Sequence, residues 1–209
     1  IYNKRWAGFS KQKQFALDQC TNEWVLSLDA DERVRPELAH EIKILLQNKP
    51  AVEGYLIARR SYFLNKWIKH CGWYPGYQVR LFKKSCTNVS ESRVHEGYLV
   101  DGKVARLSCD IDHYSHPSLR NSLEKLNRYS TLEAFDRLER KKVYWIDFIT
   151  HSLAAFLIKY VRQKGFLDGL HGFLLSWISS FLKMVMYMKI WWLQRLDKGT
   201  VERLKQEAL

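Results

Sequence analysis

The sequence contains little glycine and proline, with 10 glycines and 4 prolines among its 209 residues. With 46% hydrophobic and 27% charged residues, this scarcity excludes disordered, collagen-like and low-complexity proteins. The cysteines form no CxxC pair, which argues against zinc knuckles and dithiol motifs and favours reduced thiols in a cytosolic setting. The opening IYNKRWAGF also lacks the apolar stretch of a signal peptide.

Acidic residues are outnumbered by basic ones, 22 to 34, which gives a formal net charge of +12. Such a surplus favours partners that carry phosphate, namely nucleic acid, nucleotide or anionic lipid. Aromatic residues reach 14% and include 8 tryptophans, a share typical of surfaces that meet carbohydrate, nucleotide or a membrane interface.

Helical and strand patterns alternate in the first half of the chain. The segment 10–20 predicts a short helix, WVLSL (24–28) a buried parallel strand, and Pro36 opens a second helix. Further strands are predicted at YLIAR (55–59) and QVRLF (78–82). The alternation predicts an α/β fold.

A turn signal and a change of character follow. Asp101-Gly102 lies between YLV and KVARL, which predicts a two-residue hairpin turn. The segment 107–115 predicts a last strand, and Pro117 ends it. We therefore expect an α/β domain over residues 1–117 and a helical region over residues 118–209.

The helical region is strongly apolar from residue 143 to residue 195. Its tryptophans and flanking basic residues favour amphipathic helices that lie in a membrane interface. A bilayer-spanning helix over residues 169–188 and ordinary buried core helices remain alternatives.

The strongest chemical signal is Asp29-Ala30-Asp31-Glu32, directly after the WVLSL run. Carboxylates at the end of a strand lie where α/β sheets bind ligands, and two aspartates one residue apart can hold a divalent cation that bridges phosphate oxygens. The alternative is a solvated acidic turn that caps the next helix.

The stretch KQKQFALDQCTNEWVLSLDADE resembles the middle of the family 2 GT-A glycosyltransferases. The segments GWYPGYQVRLF, RVHEG, DHYSH and GFLDGLHGF resemble that family's lipopolysaccharide-core glucosyltransferase branch. The resemblance implies a GT-A, Rossmann-like nucleotide-sugar transferase core followed by amphipathic helices. The family's first strand and uridine-binding loop normally precede the position of Ile1, so we expect a core that is incomplete at the N-terminus.

The resemblance implies a donor site in which Asp31 binds the metal and Asp29 the metal or the ribose. His113 would complete the metal or diphosphate site, and Mg²⁺ or Mn²⁺ is the expected cofactor. Lys13 occupies the position of a family arginine near the diphosphate, and Arg80 would neutralise phosphate or brace the loop.

The acceptor side also follows from the resemblance. Glu96 occupies the place of the general base, which takes the proton of the acceptor hydroxyl. His95 would lie beside it, and Trp73 and Tyr74 would stack on a sugar face.

These roles predict an inverting, metal-dependent transferase that moves a sugar, glucose by the resemblance, from a UDP-sugar to a lipopolysaccharide-core or lipid-linked acceptor. We expect it to lie peripherally on the anionic cytoplasmic face of the inner membrane, without a nucleic-acid partner. Two alternatives remain. A non-enzymatic basic membrane-surface adaptor leaves the acidic motif unexplained. A phosphotransferase of the haloacid-dehalogenase type fits poorly, because Glu32 and Arg33 follow the aspartates where that family has small residues, then Thr or Val.

Overall fold

The computed structural model describes residues 2–5, 7–90, 97–116, 118–140 and 142–208. The chain divides into two compact units. The sheet unit comprises Ile1–Arg60 and Pro75–His113, and the helical unit comprises Ser61–Tyr74 and Tyr114–Leu209. His95 and Glu96, the predicted acceptor contact and general base, lie outside the described residues.

Helices and strands alternate at first, and helices dominate after residue 118, so the predicted α/β class is confirmed. In chain order the elements are α1 (Phe9–Asp18), β1 (Trp24–Leu26), β2 (Glu32–Val34), α2 (Pro36–Gln47), β3 (Gly54–Phe63), β4 (Lys66–Trp67), β5 (Gly76–Lys83), β6 (Thr87–Val89), β7 (Tyr98–Val100), β8 (Val104–Arg106), β9 (Ile111–His116), α3 (Leu119–Arg137), α4 (Trp145–Leu157), α5 (Gly169–Leu193) and α6 (Lys198–Ala208).

The main sheet has the strand order β1-β5-β3-β9-β2, and β4 and β8 also pair with β3. The prediction of a parallel strand at WVLSL is wrong, because β1 pairs antiparallel with β5 and places Trp24 opposite Lys83. Its three residues are only partly buried. A short apolar run indicates a strand but does not specify the direction of its partner.

The predicted hairpin at Asp101-Gly102 is also wrong. The strand before it, β7, pairs with β6, whereas the strand after it, β8, runs parallel to the start of β3. The turn holds a different contact: Lys103 donates its backbone N–H to the Glu53 carboxylate at 2.8 Å. A Cβ on Gly102 would lie 2.6 Å from a Glu53 carboxylate oxygen, and its φ is 131°. Glycine is needed here for this close approach, while the two strands go to different partners.

The core of the sheet unit lies between α2 and the sheet. Pro36 begins the helix as predicted, and Leu38 is fully buried among apolar side chains of β3, β5 and β9. The carboxylate of Glu41 on the same helix accepts the backbone N–H groups of Ser108 and Cys109, each at 2.9 Å. These bonds attach α2 to the segment before β9.

In the helical unit, Asp168 joins the start of α5 to the chain around residues 66–70. It precedes α5 and is 3% exposed. Its carboxylate accepts the backbone N–H groups of Lys69 and His70 at 3.2 and 2.8 Å. Lys66 donates to its backbone carbonyl at 2.9 Å. The loop 64–75 is thereby fixed to the start of α5.

An apolar face runs along the exposed side of α4, α5 and the segment 158–168 that joins them. On α4 the exposed residues recur every four positions, as the predicted amphipathic pattern requires. The exposed face consists of Trp145, Ile149, Leu153, Leu157, Val161, Phe166, Leu167, Leu170, Phe173 and Trp177. By length and composition, Gly165–Leu193 is also long and apolar enough to cross a membrane. An 18-residue stretch within it has a mean hydropathy of 1.3, and 28% of that stretch is buried.

Candidate functional site

The acidic turn joins β1 to β2 and lies beside three further strands. Glu32 donates its backbone N–H to the carbonyl of Asp29 at 3.0 Å, which closes the turn. Glu32 begins β2 and pairs with His113 on β9. Arg59 on β3 and Arg80 on β5 bring their guanidinium groups to the same place. All of these residues belong to the sheet unit.

Arg80 holds the turn in one geometry. Its Nη2 lies 2.5 Å from Oδ2 of Asp29 and 2.5 Å from Oε1 of Glu32. The second carboxylate oxygen of Glu32 accepts the backbone N–H of Asp29 at 3.0 Å. Of the two roles predicted for Arg80, bracing the loop is the one that this geometry supports, since its side chain is only 2% exposed.

The charges in this arrangement stabilise each other. Burial opposes the charge of Arg80, but Glu32 and Asp29 outweigh that effect and raise the pKa of the guanidinium. Burial also disfavours the Asp29 carboxylate, yet the charge and hydrogen bond of Arg80, with Lys13, lower the pKa of Asp29 below its usual value. Asp29 is therefore ionised at neutral pH.

Asp31 and His113 form the second pair of the site. Oδ2 of Asp31 lies 3.5 Å from Nε2 of His113, and the aspartate side chain is 41% exposed. Burial and the positive charge of Arg59 lower the pKa of His113, although Asp31 opposes the shift. A neutral imidazole beside a carboxylate is a donor set that divalent cations accept.

This pair fits a cation that takes part of its coordination from a substrate. Among the described residues, no group of three or more His, Cys, Asp or Glu side chains is arranged to hold a metal ion. Mg²⁺ typically binds through one or two carboxylates, waters and substrate phosphates. Asp31 fits that pattern, His113 would add a nitrogen ligand, and Asp29 has its Oδ2 engaged by Arg80.

Arg59 was not predicted from the sequence. Its Nη1 lies 4.0 Å from Oε1 of Glu32, and its Nε is buried without a hydrogen-bond partner. The sequence offers the pair Arg59-Arg60 at the end of a strand pattern, but it does not reveal which of the two faces the acidic turn.

A cleft of about 280 Å³ lies along β5 and the start of β7. It is lined by Lys13, Leu56, Tyr77, Gln78, Val79, Arg80, Gly97 and Tyr98. The Tyr98 hydroxyl bonds to Oγ of Ser27 at 3.0 Å, and Nζ of Lys13 lies 5.9 Å from the Tyr98 ring centre. Lys13 and Arg80 thus share a cleft with aromatic and basic walls, and the charge of Lys13 acts on Asp29, while the predicted contact of Lys13 with a diphosphate stays a prediction.

The two aromatic residues predicted to meet the acceptor belong to the helical unit. Trp73 packs against Phe63 and His116, with ring centres 6.3 and 5.4 Å apart. Tyr74 meets the edge of Trp67 at 5.4 Å. Both rings are partly buried, so their contact with a sugar stays a prediction.

Comparison with known proteins gives a consistent set of relatives. No family model matches the chain. It is 29% identical over 189 residues to the lipopolysaccharide core biosynthesis glycosyltransferase LpsC of Rhizobium meliloti (strain 1021), an alignment that covers 89% of the chain and 70% of that protein. It is also 28% identical over 208 residues to an uncharacterized glycosyltransferase of Rickettsia prowazekii and to one of Rickettsia typhi, with 90% of the chain and 68% of each relative covered.

Proposed function

We propose, from the premise that this chain is a homologue of bacterial glycosyltransferases, that it transfers a sugar from a nucleoside-diphosphate donor to a lipopolysaccharide-core or lipid-linked acceptor with inversion at the anomeric carbon. The donor most consistent with the resemblance is UDP-glucose. The observation that carries the proposal is the acidic turn, where Arg80 and Glu32 fix Asp29 and where Asp31 and His113 lie 3.5 Å apart.

The proposed reaction is a single displacement. An oxygen of the acceptor attacks the anomeric carbon, the bond from that carbon to the diphosphate breaks, and the nucleoside diphosphate leaves with the electron pair. Glu96 takes the proton of the attacking hydroxyl, a step that typically contributes about 10²–10⁴-fold in rate. Asp29 would bind the ribose or contribute to the cation site, and Lys13 would lie against the diphosphate.

Asp31 and His113 would hold Mg²⁺ or Mn²⁺. When bound, the cation offsets the negative charge that develops on the leaving diphosphate. The residues of the chain supply the rest: Arg80 and Glu32 keep the turn rigid, so that the carboxylates need little rearrangement when the donor arrives.

Asp31→Asn tests the cation site directly. The substitution keeps the size of the side chain but removes the charge that a hard cation needs, so Mn²⁺ and UDP should both bind more weakly. Calorimetry of UDP with and without Mn²⁺ measures this, and Asp101→Asn, at an exposed turn, is the matched control. Unchanged affinities in Asp31→Asn would place the cation elsewhere.

Glu96→Gln tests the base. Transfer should fall by about 10²-fold or more, because the amide cannot take the acceptor proton. Binding of the nucleotide sugar should stay nearly unchanged, since the base acts on the acceptor. Near-normal turnover in this variant would remove Glu96 from the mechanism.

We further propose that the apolar face of α4 and α5 inserts into the anionic cytoplasmic leaflet of the inner membrane, where a lipid-linked acceptor lies. The face joins large apolar side chains with exposed tryptophans: Trp145 is 66% and Trp177 60% exposed. Soluble monomers rarely expose apolar patches of this extent, and tryptophan favours the interface region of a bilayer.

The basic residues of this region contribute less than the sequence suggests, because three of the six between residues 143 and 195 are partly buried and bonded inside the helical unit. Nζ of Lys183 pairs with Glu133 at 2.7 Å, Nζ of Lys159 donates to the carbonyl of Cys71 at 3.1 Å, and Lys189 donates to side chains of α3. The exposed remainder consists of Arg162, Lys164 and Arg195. At roughly 1 kcal/mol for each basic residue near the surface, the electrostatic share is about 3 kcal/mol, and apolar insertion supplies most of the binding.

Vesicle flotation tests this face. The double variant Leu170→Glu/Trp177→Glu should release the protein from vesicles containing anionic lipid, whereas Tyr129→Glu, at an equally exposed aromatic position on α3, should not. High salt should cause partial release of the wild type. Binding that resists salt and alkaline pH, and survives the double variant, would favour a helix that crosses the bilayer.

A further inference from the structure

The two arginines beside the acidic turn differ in how their charges are used. The guanidinium of Arg80 lies between two carboxylates at 2.5 Å and is 2% exposed. The guanidinium of Arg59 has an ionic contact to Glu32 at 4.0 Å, and its Nε, like that of Arg80, is buried without a hydrogen-bond partner in the described part of the chain. Its side chain is 23% exposed, so it is open to a ligand.

The surroundings of Arg59 are those of an anion site. Oε1 of Glu32, the carboxylate oxygen that Arg59 contacts within the described residues, is already committed to Arg80 at 2.5 Å. Burial and the like charge of Arg80 lower the pKa of Arg59, which means that its cation is only partly compensated by the neighbouring carboxylates. Because the orphaned Nε is common to both arginines, what distinguishes Arg59 is its longer ionic contact to Glu32 and its partly exposed side chain.

Phosphate is the ligand that a guanidinium at this position recognises. Its planar fork can give two parallel hydrogen bonds to phosphate oxygens, which a lysine cannot reproduce. Arg59 also lies close to His113 and Asp31, because its Nη1 is 4.0 Å from Glu32, which follows Asp31 in the turn and pairs with His113 on β9. A diphosphate bound to the proposed cation would therefore lie within reach of Arg59.

We propose that Arg59 binds the diphosphate of the nucleotide donor and neutralises it as the nucleoside diphosphate departs. This assignment rests on the proposed function and gives Arg59 the phosphate-binding role that Arg80, enclosed by Asp29 and Glu32, does not have. The ligand class is a nucleoside diphosphate or its pyrophosphate part, and the base makes no contribution to this contact.

Calorimetric titration of the full chain with UDP, GDP and inorganic pyrophosphate, each with and without Mn²⁺, tests the assignment. Arg59→Gln should weaken all three ligands by a similar factor of about 10–100, because it removes hydrogen bonds to charged oxygens. Arg59→Lys should lie between Arg59→Gln and the wild type, since it keeps the charge and loses the fork. Arg33→Gln is the matched control, because Arg33 is exposed on the opposite face of β2 from Glu32.

Each outcome decides a separate point. If the wild type binds none of the three ligands, the proposed function and this inference both fail. If the wild type binds them and Arg59→Gln binds within about 2-fold, the function stands and Arg59 is not its phosphate ligand. If Arg59→Gln does not fold, as judged by thermal melting, Arg59→Lys decides: unchanged affinity there overturns the forked contact. A loss for UDP alone, with pyrophosphate unchanged, would also overturn it.

Discussion

Replacing Arg80 with glutamine should destabilise the sheet unit strongly. The change leaves the fully buried carboxylate of Glu32 with Arg59, 4.0 Å away, as its remaining ion-pair partner among the described residues. Breaking a buried ion pair by removing one partner typically costs about 3–5 kcal/mol. Since Asp29 is 42% exposed and can return to solvent, we expect the lower end, about 3 kcal/mol.

Urea unfolding followed by circular dichroism measures this loss. With a typical slope of about 2 kcal/mol per molar urea, a cost of about 3 kcal/mol lowers the midpoint by about 1.5 M. The control is Arg106→Gln, which removes an exposed arginine stacked 4.6 Å from the Tyr77 ring centre and should cost about 1 kcal/mol or less.

The double variant Glu32→Gln/Arg80→Gln sharpens the result. Because it removes both buried charges, it should recover part of the loss seen in Arg80→Gln alone. A loss below about 1 kcal/mol in Arg80→Gln, or strictly additive losses in the double variant, would refute the ion-pair brace.

Three further changes test the structure around the site and in the helical unit. Glu41→Gln should cost about 1–2 kcal/mol, because hydrogen bonds to a charged acceptor are lost. Burial opposes the charge of Glu41, but these hydrogen bonds outweigh it and lower the pKa of Glu41 below its usual value of 4.5. The stability difference from wild type in urea titrations should therefore persist above that pH and shrink as the pH falls through the folded-state pKa. A difference that grows in acid would contradict this. Asp168→Ala should lower the melting temperature by several degrees, since it leaves the backbone N–H groups of residues 69 and 70 without their acceptor; an unchanged melt would refute that role. Gly172→Ala should be more damaging than Gly97→Ala in the same melting assay, because a Cβ at Gly172 would overlap the carbonyl oxygen of Gly165, whereas no atom of the described residues lies within 4 Å of a Cβ at Gly97. Equal effects would contradict this expectation.

Local patterns identified individual elements well and their pairing poorly. Pro36 marked the start of α2 because its fixed φ and missing N–H suit a first helical turn. The WVLSL run and the Asp101-Gly102 turn gave the presence of strands and a turn, but the partners of β1, β7 and β8 depend on contacts distant in sequence. The Lys103–Glu53 bond, which spans fifty residues, is one such contact.

The acidic motif was predictable, whereas its environment was not. Asp29 and Asp31 are recognisable because the resemblance covers them, and the relatives support the transferase assignment. The contact of Glu32 with Arg80, and the position of Arg59 on β3 between the strands that carry Arg80 and His113, follow from strand order and register. Such a cluster of charges from four strands leaves no periodic trace in the sequence.

The most direct test of the central claim is the stereochemistry of transfer by the full chain. The protein would be incubated with Mn²⁺, a panel of UDP- and GDP-sugars that includes UDP-glucose, and truncated lipopolysaccharide-core acceptors. Nuclear magnetic resonance of the product then gives the anomeric configuration. We predict release of the nucleoside diphosphate and a β-linked product from an α-linked donor, with both lost in Asp31→Asn. A product with retained configuration, or transfer that persists in Asp31→Asn, would contradict the account.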